Sequence, residues 1–326
     1  MAFSSLSLPP LPLLFHHQKP NLPFLTSNFQ TSFDYFPQLS TLNPKHHQKM
    51  SRTSSMKVQG SVNDLGIVER TIQLVQSSPP TWQSALLSNI IIFTVGSPLL
   101  VSGLSLSGIG AAFLLGTLTW RAFGSNGFLL VATYFVIGTA ATKVKMAQKE
   151  AQGVAEKKKG RRGPGSVIGS SAAGCVCAFL SINGVGGEAF THLWVLAFVA
   201  SFCTKLSDTV SSEIGKAYGK TTYLVTNFKV VPRGTEGAVS AEGTIAGLLA
   251  SVLLAFVGYV TGQINVPGAA ICVIAAQIAN IGESLIGASL QDKKGFSWLN
   301  NDVVNVINIS LGSIFAVLMQ KVIFQS

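Results

Sequence analysis

Charged side chains are scarce in this sequence of 326 residues. Asp, Glu, Lys and Arg make up 11% of it, against about 25% in a typical soluble domain, and 48% of its residues are hydrophobic. The mean hydropathy is +0.44. This composition argues against a soluble domain and predicts an all-α, polytopic membrane helical bundle. We expect the lipid bilayer as a partner and no nucleic acid.

Cysteine is also rare. All four cysteines lie inside apolar runs, and they are Cys175, Cys177, Cys203 and Cys272. This placement argues against both a disulfide framework and a metal knuckle. We interpret the cysteines as small buried hydrophobic residues.

Acidic residues are almost missing from the N-terminus. Residues 1–58 contain thirteen Ser and Thr, five Lys and Arg, and a single acid, Asp34. Such a composition is typical of organelle transit peptides, and the opening Met-Ala-Phe-Ser-Ser resembles a plastid one. We predict that residues 1–58 are a plastid transit peptide that is removed, and that residues 59–326 form one multi-pass domain in a chloroplast membrane. A tail that stays attached is the alternative.

Long apolar runs fill the rest of the chain. A helix needs about 20 such residues to cross a bilayer, so we predict about eight transmembrane helices, within a range of seven to nine. They are expected at 83–101, 105–122, 127–142, 166–181, 190–205, 241–263, 267–290 and 302–322.

The positive charge is concentrated in one loop. From residue 59 onward, 18 basic and 12 acidic residues give a net charge of +6, and residues 143–164, with eight basic and two acidic residues, carry the same +6. The positive-inside rule places this loop in the stroma. Counting spans from it brings 206–240 and 291–301 to the same face, and 182–189 to the opposite one. We therefore predict a one-sided site that meets a water-soluble reactant.

The central polar stretch runs from Ser207 to Thr244. Carboxylates, cations and glycines together favour Mg²⁺ and nucleotide phosphates, and the chain has no G-x-x-x-x-G-K-[ST] motif, which excludes a P-loop. The alternative for the basic residues is that they flank the membrane spans and contact anionic lipids. The charged residues of this stretch are Asp208, Glu213, Lys216, Lys220, Lys229, Arg233, Glu236 and Glu242.

Two carboxylates of this stretch cannot share an ion on one regular helix. Glu213 falls about 140° from Asp208, because each helical residue turns by about 100°. Either the helix is broken near Asp208, or Glu213 has another task.

Polar residues recur with helical spacing in the last two spans. The first stripe consists of Gln277, Asn280, Ser284, Gly287 and Gln291, with Glu283 beside it, and the second of Asn300, Asn301, Asp302, Asn305 and Asn308. Hydrogen bonding between helices is the alternative for any single Asn or Gln. A carboxylate is a costly way to join helices, so we favour a functional role for Glu283 and Asp302.

Three blocks of the sequence resemble one family in this order: SDTVSSEIG, PRGTEGAVSAEGT, and GESLIGASLQ with WLNNDVVNVIN. They are similar to the transmembrane-protein-19-like integral membrane family over roughly residues 65–326. The first two blocks also show a weaker similarity to polyprenol and phytol kinases. One departure is Ser207 before Asp208, where the family often has Ala; the acid is kept.

With the plastid-type N-terminus, this resemblance implies a phytyl-phosphate kinase of the vitamin E pathway. Such an enzyme uses a nucleoside triphosphate, with CTP favoured, to make phytyl diphosphate from phytyl phosphate for tocopherol and phylloquinone synthesis. The isoprenoid tail is expected among the apolar helices, where Gly103, Gly108 and Gly110 would leave room for it or pack helices closely.

The candidate roles follow from these arguments. The candidate catalytic residues are Asp208, Glu213, Arg233, Glu283 and Asp302. The candidate Mg²⁺ ligands are Asp208, Glu283 and Asp302. The candidate nucleotide and phosphate contacts are Lys216, Lys220, Gly234, Thr235, Glu236, Gly237, Asn301 and Asn305. An isoprenoid or small-solute transporter and a non-catalytic membrane regulator stay open as alternatives.

Overall fold

The structure, a computed structural model, describes residues 79–324 except Asp292. The predicted transit peptide lies outside the described residues. The helices are α1 Trp82–Val95, α2 Ser97–Gly103, α3 Leu106–Lys143, α4 Met146–Ala151, α5 Pro164–Ile182, α6 Glu188–Tyr218, α7 Ala241–Val260, α8 Val266–Leu290 and α9 Asn301–Phe324. A 3₁₀ turn, Lys157–Gly160, and two short antiparallel strands, β1 Tyr223–Leu224 and β2 Ala238–Val239, complete the described part. The predicted all-α class is confirmed.

Six of the described helices are long and apolar enough to cross a membrane, and a seventh span results if α1 and α2, bent by 79°, count as one. The longest, α3, is broken at Gly124, where φ is +67°. The rings of Trp120 and Phe128, on either side of the break, lie 5.5 Å apart. We therefore describe α3 as two arms, 106–123 and 125–143, which match the spans predicted at 105–122 and 127–142.

Helix α6 is the centre of the bundle, since it packs against α3, α5, α7, α8 and α9. Small residues let α7 approach it closely. A Cβ at Gly243 would lie 2.5 Å from the Ser211 carbonyl oxygen, and one at Gly247 would lie 2.7 Å from that of Ser207. Spacing of small residues by four positions is typical of tight packing between membrane helices. This contact fixes the height of α6 along its axis, and with it the height of Asp208.

Helix ends next to the site are capped by side chains. The Ser240 hydroxyl accepts a hydrogen bond from the Gly243 amide at 3.1 Å at the start of α7, and Ser105 does the same for Gly108 at the start of α3. Such caps satisfy amides that have no partner within the helix. They let two helices begin beside the polar loops.

The segment between α6 and α7 is anchored on α8. Gly237 has a φ of +72°, and a Cβ there would overlap the backbone of Ala288. Opposite it, a Cβ at Gly287 would lie 3.0 Å from the Gly237 amide nitrogen. Two facing glycines thus bring the segment onto the end of α8.

Candidate functional site

A polar cavity of about 830 Å³ opens at one end of the bundle. Its lining comes from the basic loop, α5, α6, the 222–240 segment, α8 and α9. The prediction that the three polar loops share one face is therefore confirmed. The predicted site residues that line it are Asp208, Glu213, Lys216, Arg233, Gly234, Thr235, Glu236, Gly237, Glu283, Asn301, Asp302 and Asn305.

Lys220 is the predicted residue that does not line this cavity. Its side chain is exposed, and its backbone amide donates to Glu242 Oε1 at 3.3 Å. It follows the end of α6 at Tyr218. The expectation that Lys220 contacts phosphate has no geometric support here.

The centre of the cavity is a buried cation that the sequence arguments missed. Lys205 Nζ lies 2.5 Å from Asp208 Oδ2 and donates to Asn305 Oδ1 at 2.6 Å. Asp208 is one turn after Lys205 on α6, and Asn305 is on α9. Lys205 therefore holds the predicted acid in place and ties it to a second helix. A lysine inside an apolar run, three residues before an acid, was the available signal.

The carboxyl groups of Asp208 and Glu283 are neighbours, within hydrogen-bonding reach of each other. Asp302 is placed differently: a Cβ on Gly165, in the first turn of α5, would lie 2.8 Å from Asp302 Oδ2. The N-terminal end of a helix attracts negative charge. Asp302 therefore packs against the start of α5, while Asp208 and Glu283 form a carboxylate pair.

This arrangement restricts the predicted metal site. Within residues 79–291 and 293–324, no group of three or more His, Cys, Asp and Glu side chains is arranged to hold a metal ion. Mg²⁺ is commonly held by one or two carboxylates together with water and substrate phosphates. The Asp208–Glu283 pair fits that mode, whereas a cage of Asp208, Glu283 and Asp302 does not form.

Glu213 faces the basic loop. Helix α6 is unbroken at Asp208, so the second alternative raised by the 140° angle is confirmed. Glu213, 2% exposed, forms an ion pair with the fully buried Lys149 of α4, and its other oxygen lies 3.5 Å from Lys216. Lys149, a second residue that sequence reasoning missed, also donates to the Thr142 carbonyl at 2.8 Å. Glu213 thereby fastens the basic loop to α6.

Glu156 extends this ion network at the rim of the cavity. Lys216 Nζ lies 3.1 Å from Glu156 Oε1. Burial alone would raise the pKa of Glu156, but the charge and hydrogen bond of Lys216, with the charges of Lys205 and Arg162, lower it below its usual value. Glu156 thus stays ionised, and Lys216, which we predicted to contact phosphate, is already paired with two carboxylates.

Other cations of the cavity form no close ion pair with a described carboxylate. Among the described residues, no ion pair within 4.0 Å involves Lys158, Arg161, Arg162 or Arg233, all of which line it. Arginine matches phosphate geometry with two parallel hydrogen bonds. These residues leave the cavity able to accept a polyanion.

The polar stripe of α8 connects helices beneath the cavity. The Asn280 amide donates to Ser207 Oγ at 2.9 Å, and Gln277 donates to the same oxygen at 3.2 Å. Asn308 donates to Asn280 Oδ1 at 3.0 Å. Hydrogen bonding between helices, the alternative raised for these amides, is thus confirmed for Gln277, Asn280 and Asn308.

We expect Glu213→Gln to destabilise the protein strongly. It leaves Lys149 as a buried cation without its partner, a change that typically costs about 3–5 kcal/mol. Thermal unfolding of the purified protein in detergent measures the effect. The exposed neighbour Glu150→Gln should change the free energy of unfolding by about 0.5 kcal/mol or less. Equal melting temperatures for the two variants would show that the buried pair does not hold the loop.

Comparison with known proteins shows to which family the chain belongs. The family model described as integral membrane protein DUF92 matches residues 89–313. Protein VTE6, chloroplastic, of Arabidopsis thaliana is 75% identical over 261 residues, covering 80% of this chain and 78% of that protein. An uncharacterized membrane protein of Synechocystis is 46% identical over 74% of this chain and 92% of its own.

A more distant relative, an uncharacterized membrane protein of Methanocaldococcus jannaschii, is 31% identical over 65% of this chain and 84% of its own length. No solved structure matches. The predicted location is confirmed by the chloroplastic relative and the apolar helices: this is a multi-pass chloroplast membrane protein. The chain belongs to the family of integral membrane proteins described as DUF92.

Proposed function

We propose that this protein is a phytyl-phosphate kinase. It transfers the terminal phosphoryl group of a nucleoside triphosphate, preferably CTP, to the phosphate of phytyl phosphate or a similar isoprenyl phosphate. The product, phytyl diphosphate, serves tocopherol (vitamin E) and phylloquinone synthesis. The observation behind this proposal is the carboxylate pair Asp208 and Glu283, which shares one cavity with Arg161, Arg162 and Arg233.

The cavity offers what this reaction needs. The acceptor is already an anion, so no side chain has to remove a proton from it. Phosphoryl transfer between two phosphates then depends on alignment and on neutralisation of charge. A cavity with paired acids and unpaired arginines is suited to both tasks.

Asp208 and Glu283 would hold Mg²⁺ together with phosphate oxygens of the nucleotide. When bound, the ion would neutralise negative charge on the transferred group. Lys205 keeps Asp208 oriented through its 2.5 Å contact. Arg233 and the Gly234–Gly237 turn border the same space and would contact the nucleotide phosphates. Asp302, against the start of α5, lines the same cavity.

Two independent lines support the kinase over the alternatives. The sequence blocks that carry the resemblance include Asp208, Arg233 and Glu283, which line the cavity, and the plastid-type N-terminus agrees with the similarity to a chloroplastic protein. A transporter would favour charged groups near the middle of the membrane. Here the unpaired arginines lie in loops at one end of the helices.

The test is an assay of purified protein in lipid nanodiscs with phytyl phosphate and each of the four nucleoside triphosphates. We expect phytyl diphosphate to form only with both substrates and Mg²⁺, fastest with CTP, and phytol to be inactive as acceptor. Flux of isoprenoid across vesicles without nucleotide consumption would instead support a transporter. Absence of turnover with all four nucleotides would overturn the kinase proposal.

A further inference from the structure

A second cavity, of about 140 Å³, lies between α1, α2, both arms of α3 and α5. Its walls are almost entirely apolar, with Phe93, Leu115 and Phe128 among them. The basic group among its lining residues is Arg162. A cavity of this kind favours a hydrocarbon ligand with an anionic end.

The apolar cavity meets the polar one. Arg162 and Ser170 line both. A ligand whose polar end lies in the larger cavity could therefore place the adjoining carbon atoms in the smaller one. The boundary between the two cavities is the guanidinium group of Arg162.

Arg162 is held firmly at this boundary. Its amide donates to the Gly103 carbonyl at 2.9 Å, and its carbonyl accepts from the Ser105 amide at 3.0 Å. Its Nη1 donates to the Tyr134 hydroxyl at 2.8 Å, and a Cβ at Gly138 would lie 3.1 Å from Nη2. These contacts orient the guanidinium group. It forms no ion pair with a described carboxylate, so its charge is available to an external anion.

The apolar cavity also reaches the outer surface of the bundle. Two of its lining residues, Leu99 and Val136, are 44% exposed each. Apolar side chains exposed on a membrane helix face lipid. A long chain could thus leave the cavity between α2 and the second arm of α3 and continue in the bilayer.

The volume selects one part of such a chain. A dry apolar cavity of about 150 Å³ holds one benzene molecule, which has six carbon atoms. A space of about 140 Å³ is therefore suited to one five-carbon isoprene unit. A whole phytyl chain would not fit inside it.

We propose that the apolar cavity binds the isoprene unit next to the acceptor phosphate, and that Arg162 binds that phosphate. The rest of the chain passes between Leu99 and Val136 into the lipid. This inference rests on the proposed function and adds an acceptor site to it. Two of the glycines considered for the tail pack closely, as in the alternative: a Cβ at Gly103 would lie 2.9 Å from both Phe135 and Thr139, and one at Gly108 would overlap the Arg162 carbonyl oxygen. A Cβ at Gly110 would meet nothing within 4 Å.

Two substitutions test this proposal: one fills the apolar cavity and the other removes the charge of Arg162. Each has a matched control. Ala132→Phe places a ring in the cavity, while Ala140→Phe adds the same ring to an exposed position of the same arm. Arg162→Gln removes the boundary cation, while Lys159→Gln removes an exposed cation of the same loop that lines neither cavity.

We expect Ala132→Phe and Arg162→Gln each to raise the KM for phytyl phosphate about tenfold or more, the loss typical of one charged or apolar contact of 1.4 kcal/mol or more. The KM for the nucleotide should stay unchanged, and both controls should match the wild type. A phytyl phosphate analogue with a diazirine on its first isoprene unit should label residues that line the apolar cavity, on α1, α2, either arm of α3 or α5.

The outcomes separate the two proposals. If the wild type is active and both cavity variants match their controls, the acceptor site is wrong and the kinase proposal stands. If the wild type shows no turnover with any nucleotide, the kinase proposal fails, and the labelling pattern alone then decides the site. Labelling confined to residues outside the apolar cavity would overturn it.

Discussion

Asp208→Asn is expected to lower kcat/KM for phytyl diphosphate formation by about 10²–10³-fold, the loss typical when one electrostatic contact to the transition state is removed. The substitution keeps the shape of the side chain but removes the charge that pairs with Lys205 and adjoins Glu283. The amide would bind Mg²⁺ less well than the carboxylate. Initial rates over a range of Mg²⁺ and nucleotide concentrations measure the effect.

The control lies on the same helix. Glu188→Gln removes an exposed carboxylate from the first turn of α6, at the end of the helix opposite to Asp208 and outside the cavity. It should leave kcat/KM at the wild-type value. Nearly full activity of Asp208→Asn in folded protein would remove Asp208 from the chemistry, and with it the central element of the proposed site.

The apolar runs determined most of the fold. All eight predicted segments are largely helical, because a helix satisfies all the backbone hydrogen bonds of an apolar segment within that segment. What the runs did not reveal is how the segments bend. The bend of 79° at Gly96 falls inside the span predicted at 83–101, whereas the turn at Gly124 falls between the spans predicted at 105–122 and 127–142. The extension of α6 past Asp208 to Tyr218 was missed for a different reason, since polar residues there look like a loop.

The distribution of charge along the chain and the helical spacing of residues predicted most of the candidate site. The positive-inside count placed the loops 206–240 and 291–301 at the face of the basic loop, and Asp208, Glu283 and Asp302, which lie in or near these loops, line one cavity. Regular helix geometry also predicts that Glu213 and Asp208 point in different directions. These arguments succeed because they depend on regular helices and on the membrane plane, and both constraints act on the sequence directly.

Side-chain partners on different helices could not be predicted from the sequence in the same way. Lys205 and Lys149 pair with acids that define the site, yet one lies in an apolar run and the other in a loop of many cations. The choice of Lys149 among those cations is made by burial, which spacing alone does not reveal. Gly237 shows the same limit: its close approach is to Ala288 of α8.

The second large effect is expected for Lys205→Met, because Lys205 compensates the carboxylates of the site. Its side chain is 8% exposed and that of Asp208 is 14% exposed, so water screens their interaction poorly. Removing one member of a buried ion pair typically costs about 3–5 kcal/mol. Met has a similar volume, so the loss would come from charge and hydrogen bonding to Asp208 and Asn305 rather than from a cavity.

Lys205→Met should therefore lower both the melting temperature and kcat, the latter by about 10²-fold, as for loss of one positioned electrostatic group. Lys143→Met, at an exposed cation outside the cavity, should change neither. The double variant Lys205→Met/Asp208→Asn should regain much of the melting temperature, because no buried charge of that pair is left alone, but none of the activity. Mn²⁺ binding without nucleotide, measured by electron paramagnetic resonance, distinguishes a residue that acts on the carboxylate pair from one that only stabilises the fold. Lys205→Met should bind the ion more tightly than the wild type, since Asp208 and Glu283 have lost their competing cation. Unchanged Mn²⁺ affinity together with wild-type stability would show that Lys205 does not compensate this carboxylate pair.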